Sequence, residues 1–259
     1  MKNTPEIQQL LKNLKLSGML ETLTVRNEQA VESQLLYPEY LGLLLQDEQL
    51  RRDNNQFNRR FKRSNLKGDK TLENFDFCFN PKINQAKVKA LATCQFMQEK
   101  VSVLLVGQTG TGKTHLAQAI GHSALRQAKD VIFLTPTQLF NELQTARAKG
   151  DYLKRYRLLV TVPLLIIDDF ALKPMKPQQE EDLHDVIAGR YEEVSTLITS
   201  NLDVDEWESV FSNRVLGAAT FDRLRHGAHN LTLTGTSYRA QTRSIDENKN
   251  KEGVIINQT

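Results

Sequence analysis

The stretch VSVLLVGQTGTGKTHLAQAIG, residues 101–121, constrains this chain more than any other. Its apolar opening reads as a strand and its close as a helix, and the join carries Gly107, Gly110 and Gly112. Glycines so placed let the backbone curl until successive amides face one point. The helix that follows brings its positive end to the same point. GQTGTGKT, residues 107–114, fits G-x-x-x-x-G-K-[ST] at every fixed position. The pattern predicts a phosphate cradle formed by Gly107, Gln108, Thr109, Gly110, Thr111, Gly112, Lys113, Thr114 and His115. Lys113 can reach the β- and γ-phosphates of a nucleotide, and the Thr114 hydroxyl can ligate Mg2+.

From there strands and helices alternate. Strands are expected over 101–106, 131–135, 164–168, 195–200 and 231–234, mostly as unbroken apolar runs, the pattern of a sheet covered on both faces. Helices are expected over 83–98, 113–127, 178–194 and 205–211. The alternation predicts an α/β domain with a mostly parallel sheet. The strand VPLLIIDDF ends in Asp168 and Asp169. Asp168 can order the water shell of Mg2+, and Asp169 can polarise the attacking water. Aspartate stops about 1.5 Å short of where glutamate would reach, so hydrolysis is expected to be slow. LITSN ends in Asn201, which can hydrogen-bond the γ-phosphate or the attacking water. FDRLR and SYR supply Arg223 and Arg239, and guanidinium suits spread phosphate charge.

Residues 1–66 read as an all-helical domain. A helix over 38–65 would carry Leu43, Leu50, Phe57 and Phe61 on one apolar stripe, with Arg51, Arg52, Arg59, Lys62 and Arg63 roughly opposite. A break is expected near Gly18. Residues 67–82 read as a linker, 83–242 as the nucleotide-binding domain and 243–259 as a polar, disordered tail. A second basic run, RAKGDYLKRYR, places Lys149, Lys154, Arg155 and Arg157 near two tyrosines. Such surfaces favour a polyanion and salt-sensitive binding, and nothing offers base readout. Duplex DNA with little sequence preference is therefore the expected partner, contacted by Arg52, Arg59, Arg63, Lys149, Lys154, Arg155 and Arg157. The 259-residue chain has a net charge of +3 and two cysteines whose spacing fits no zinc site. With no apolar run long enough to span a membrane, a cytoplasmic location is expected.

Taken in order, the GKT loop, the DD-ended strand, the TSN-ended strand and a late arginine resemble an AAA+ ATPase. More narrowly, TLENFDF, GQTGTGKTHLAQAIG, LLIIDDF, RYEEVSTLITSNL and SYR resemble the group of DnaC-like helicase loaders and IstB-like transposition helpers. LKLSGMLETL and YPEYLGLLLQDEQLRRDNNQFNRRFKRSNL look most like the IstB side. The resemblance implies ATP with Mg2+ and a five-stranded parallel core in which the Asn201 strand lies between the Lys113 and Asp168 strands. It implies a homo-oligomer with ATP between neighbours. One departure is expected: AAA+ proteins commonly carry a C-terminal helical lid, whereas about 25 residues follow the last expected strand here, too few for a full lid domain. It also implies Arg223 as a trans-acting finger with Arg190 and Arg214 as substitutes, Arg239 as a sensor in cis, and Phe75 and Phe77 beside the adenine. The 147–157 run lies about where initiator-type relatives carry a DNA-contacting insertion.

The function so implied is ATP-dependent regulation of transposition, with a separate transposase as partner. A replicative helicase loader shares the same ATPase half. A small-molecule kinase would need an arginine-rich lid and fits the basic helical domain poorly. A nucleotide-gated binding module with little turnover also remains open, because of Asp169.

Overall fold

The computed structural model describes residues 4–238. Arg239 and the expected tail therefore lie outside the described residues. Two compact units part between Arg60 and Phe61, inside one helix, whereas the sequence suggests a boundary at 66.

The first unit contains α1 (Thr4–Asn13), α2 (Ser17–Glu32) and most of α3 (Tyr37–Ser64). The chain turns before Gly18, at Lys15, whose φ of 56° is left-handed. Gly18 instead sits in the first turn of α2, where a Cβ would lie 2.6 Å from the Cα of Glu48. Its amide donates to Glu48 Oε2 at 2.6 Å, so Glu48 caps α2 from the neighbouring helix. Burial pushes the Glu48 carboxyl up, but Arg52 and the amides of Gly18 and Met19 outweigh it and hold the group below its usual range. Arg26 closes a bidentate pair on Asp47 at 2.7 Å through Nε and Nη2.

These contacts correct the expected apolar stripe. The buried cluster is Met19, Leu23 and Leu44, with Leu11, Leu16 and Tyr40 against it, while Leu50 is 61% exposed. Asp47 and Glu48 occupy the inward face one turn past Leu44, and polar residues there hide the true face from a reading based on apolar period.

The second unit is a five-stranded parallel sheet: β1 (Val103–Gly107), β2 (Val131–Leu134), β3 (Leu164–Phe170), β4 (Ser195–Ser200) and β5 (His229–Leu233). The order is β2-β3-β4-β1-β5, so the Asn201 strand lies between the other two site-bearing strands, as the resemblance implied. β1, β3 and β4 are buried almost throughout. β5, at an edge, alternates, with Leu231 and Leu233 in and Asn230 and Thr232 out. That alternation hides its true start at His229.

Around the sheet stand α4 (Gln85–Ala92), α5 (Lys113–Arg126), α6 (Pro136–Ala148), α7 (Tyr152–Thr161), α8 (Pro177–Arg190) and α9 (Arg214–Arg225). The expected helix over 83–98 breaks at Cys94, which is left-handed, and resumes as a 3-10 turn, Gln95–Met97. The expected 205–211 helix is a 3-10 turn, Val204–Val210. Its Trp207 is fully buried against Phe170 and Phe221, with ring centroids 5.1 and 5.8 Å away. Among the described residues no helix is long and apolar enough to cross a membrane.

Gly18 and Gly42 should respond oppositely to alanine. Gly18→Ala drives a Cβ into backbone and is expected to cost about 1–3 kcal/mol. Gly42, inside α3 with nothing within 4 Å of an added Cβ, should gain up to about 1 kcal/mol. Urea titration of helical circular dichroism in the full chain checks both signs.

Candidate nucleotide-binding site

The cleft lies at the carboxyl ends of the strands, where open α/β sheets bind ligands. It measures about 1070 Å³ and is lined by the loop after β1, the segment before α4, the ends of β3 and β4, and Tyr238. The loop takes the conformations that its glycines permit: φ is 137° at Gly107, 84° at Gly110 and 98° at Gly112. A Cβ at Gly107 would fall 2.0 Å from the Leu233 carbonyl oxygen, and one at Gly110 would fall 2.0 Å from Ser237 Oγ. Glycine is thus required both for the turn and for the close approach of the chain that follows β5. Tyr238 donates its amide to the Gly110 carbonyl at 3.0 Å, pinning that chain to the loop.

Thr109, Gly110, Thr111, Gly112, Lys113, Thr114 and His115 all line the cleft. Gln108 acts through its carbonyl, which accepts from Thr111 Oγ1 and from Lys113 Nζ, both at 2.8 Å. Lys113 is buried and also donates to the Gly107 carbonyl at 2.7 Å. His115 Nε2 donates to the Thr71 carbonyl at 2.8 Å, and burial pushes its pKa down, which favours the neutral ring. Phe75 lines the cleft, edge-on to His115 and Phe77. Phe77 backs Phe75 and is not a lining residue. Phe79 takes the lining place expected of Phe77 and packs edge-on against Tyr238, with centroids 4.8 Å apart.

Asp168 and Asp169 stand at a register shift between β3 and β4. Asp168 is 4% exposed. Burial pushes its pKa up and the charge of Asp169 adds to this, while hydrogen bonds from Thr199 and Thr114 and the charge of Lys113 oppose the rise. A buried carboxylate beside a threonine hydroxyl, next to amides and an ammonium that suit phosphate oxygens, fits Mg2+ held with a triphosphate. Asp169 and Asn201 both line the cleft.

The arginines divide. Arg190 is 1% exposed; it donates to Thr196 Oγ1 at 2.9 Å and the Val162 carbonyl at 3.0 Å, and also to the carbonyls of Leu159 and Ser195. Burial pushes its pKa down to about 9. It is consumed inside the fold, which corrects its standing as a substitute finger. Arg214 is exposed at the start of α9. Arg223 is half-buried near its end, donating to the Ala219 carbonyl at 2.8 Å. It shares a groove with Val101, Ser102, Val194 and Thr196, at the amino-terminal edge of the sheet and away from this cleft.

The basic residues are only partly available. Arg147 pairs with buried Asp182 at 2.6 Å and lies 4.3 Å over the Tyr152 ring. Arg155 pairs with Glu142. Lys149, Lys154 and Arg157 are exposed on the α6–α7 hairpin. In the first unit Arg52 pairs with Glu48 at 2.7 Å and Arg51 with Glu21, while Arg59 is exposed. Arg63, in the second unit, is exposed too.

Sequence reasoning misses Tyr238, Phe79 and Thr199. Tyr238 sits inside SYR, which stands out for its arginine, and Phe79 lies just two residues past Phe77.

The sequence pattern of IstB-like ATP binding proteins matches residues 9–246. A relative from Mycobacterium tuberculosis, described as an ATP-binding protein in an insertion sequence, is 35% identical over 240 residues, covering 92% of this chain and 96% of its own. Among solved structures, replication initiator DnaA bound to AMPPCP and single-stranded DNA superposes with a TM-score of 0.55 at 20% identity, over 67% of this chain and 52% of that one. The DnaC helicase loader gives 0.52 at 23%, over 58% and 89%. At these identities the structural likeness establishes the fold, an AAA+ P-loop core.

Arg190→Ala should strip several buried carbonyls of their donor and lower stability by roughly 3 kcal/mol or more. Arg223→Ala should change it by no more than about 0.5 kcal/mol. Thermal melts of the two variants beside wild type check the contrast.

Proposed function

The chain belongs to the family of IstB-like ATP binding proteins, and on that premise we propose that it is an ATP-hydrolysing regulator of transposition. ATP-bound copies assemble on duplex DNA, deform it, and recruit or activate a separate transposase. Hydrolysis then clears the complex.

The observation that supports this reading is a separation of parts. The cleft with Lys113, Asp168, Asp169 and Asn201 stands at the carboxyl edge of the sheet, and Arg223 stands at the amino edge. Strands of five to seven residues hold these edges roughly 15–20 Å apart. Arg223 is thus too far to serve its own cleft and would instead serve a neighbour's. Arg214 remains the second candidate for that role.

Within the cleft the backbone amides from Gly110 to Thr114 and the Lys113 ammonium would hold the phosphates. Thr114 and Asp168 would hold Mg2+, which supplies charge neutralisation between the phosphates when bound. Asp169 orients water and accepts its proton, with Asn201 beside it. Phe75, Phe79 and Tyr238 would receive the base. Arg239 as a sensor rests on the resemblance alone.

Lys149, Lys154 and Arg157, with Arg59 and Arg63, would face DNA phosphates. Arg52 and Arg155 would contribute less directly, because each already holds a glutamate. The helicase-loader reading keeps the same ATPase and gives the first unit a helicase to grip. Its specific support is the likeness of fold to the DnaC loader.

The test is retention of duplex DNA with ATP across a salt series. Lys149→Ala, Lys154→Ala and Arg157→Ala combined should flatten the slope of log affinity against log salt by roughly 2 to 3. Arg223→Ala should retain nucleotide and lose hydrolysis. Salt-independent retention, or intact hydrolysis in Arg223→Ala, contradicts the corresponding assignment.

A further inference from the structure

We propose that Thr199 is a positioning residue for hydrolysis, an inference that rests on the ATPase reading above. Ile167 pairs with Ile198 and Phe170 with Ser200, so β3 carries one more residue than β4 between these points. This is a β-bulge, and bulges re-aim side chains. Leu165, Ile167 and Phe170 join the same core cluster, so the inward face of β3 changes parity across Asp168 and Asp169. Simple alternation would have turned Asp169 into that core. The bulge gives the inward place to Phe170 and leaves Asp169 lining the cleft.

The re-aiming has two local consequences. Asp169 adopts a left-handed φ of 57°, unusual for a residue with a Cβ. Its amide donates to a side chain across the register shift.

Thr199 answers both. Its hydroxyl is fully buried and accepts from the Asp169 amide at 2.9 Å. The same hydroxyl donates to Asp168 Oδ1 at 2.6 Å. One oxygen therefore fixes the backbone of the proposed base and one carboxylate oxygen of the proposed metal-side acid. The neighbouring Ser200 donates to the Phe170 carbonyl at 3.0 Å and closes the far side of the bulge. Asp169 is a short base, so its aim matters more than that of a longer one, and Thr199 sets that aim without touching the substrate.

Thr199→Val keeps the shape of the side chain and removes donor and acceptor together. Single-turnover hydrolysis with Mg2+ and duplex DNA should fall about tenfold to a hundredfold. The dissociation constant of a fluorescent ATP analogue should stay within about threefold, because the phosphate cradle is untouched. The Mg2+ concentration for half-maximal hydrolysis should rise. Thr199→Ser, which restores the hydroxyl, should recover to within about fivefold of wild type. If Thr199→Val gives no cooperative melt, Thr199→Cys carries the same comparison, since a thiol of similar size hydrogen-bonds weakly.

A Val or Cys variant that hydrolyses at the wild-type rate overturns the proposal, as does a Ser variant as impaired as Val. An inert wild-type chain sinks the ATPase reading and the positioning role of Thr199 with it. An active wild type beside an unimpaired Val variant sinks the positioning role alone.

Discussion

Leu233 approaches Gly107 so closely that no side chain fits between them, and the rest of the cleft depends on that contact. It aligns the edge strand β5 with β1 through to the first residue of the loop. The chain after β5 then turns back over Gly110, where the Tyr238 amide reaches the loop. A phosphate loop is a set of amides with little packing of its own. Here its shape comes from neighbours pressed against glycines, and the left-handed glycines tolerate the pressure. The opposite wall, from Phe75 to Ile83, is tied down by Asn80, which donates to the Thr234 carbonyl at 2.7 Å.

The sheet divides the labour of the unit. Its interior strands are buried on both faces and supply rigidity. The residues proposed to carry the chemistry sit where the strands end, with Asp168, Asp169, Thr199 and Asn201 on one edge and Arg223 beyond the other. On the proposed reading, a nucleotide bound at one edge and an arginine at the other would make each copy incomplete by itself. Assembly and hydrolysis would then be two readings of one contact between subunits.

Much of this was legible from residues alone. The loop and the DD and TSN strand ends follow from motifs whose spacing is fixed by chemistry, while the place of the Asn201 strand between its two neighbours came from the family resemblance. The bulge was not, because LLIIDDF gives no local sign that Phe170 rather than Asp169 turns inward. Thr199 was hidden for the same reason: its role exists only across the register shift. In the first unit the stripe through Leu43 and Leu50 misled, because the helix contact is built from Asp47, Glu48 and Gly18 as much as from leucines. Arg190 looked like its neighbours in sequence, and burial alone sets it apart from Arg214 and Arg223.

The most direct measurement is mass by light scattering of the full chain alone, with ATP, and with ATP and duplex DNA, beside Lys113→Ala. Growth beyond a single copy that requires ATP, increases with duplex and is absent in Lys113→Ala is the predicted result. A wild-type mass indifferent to nucleotide and duplex would contradict the proposal that bound ATP joins these subunits on DNA.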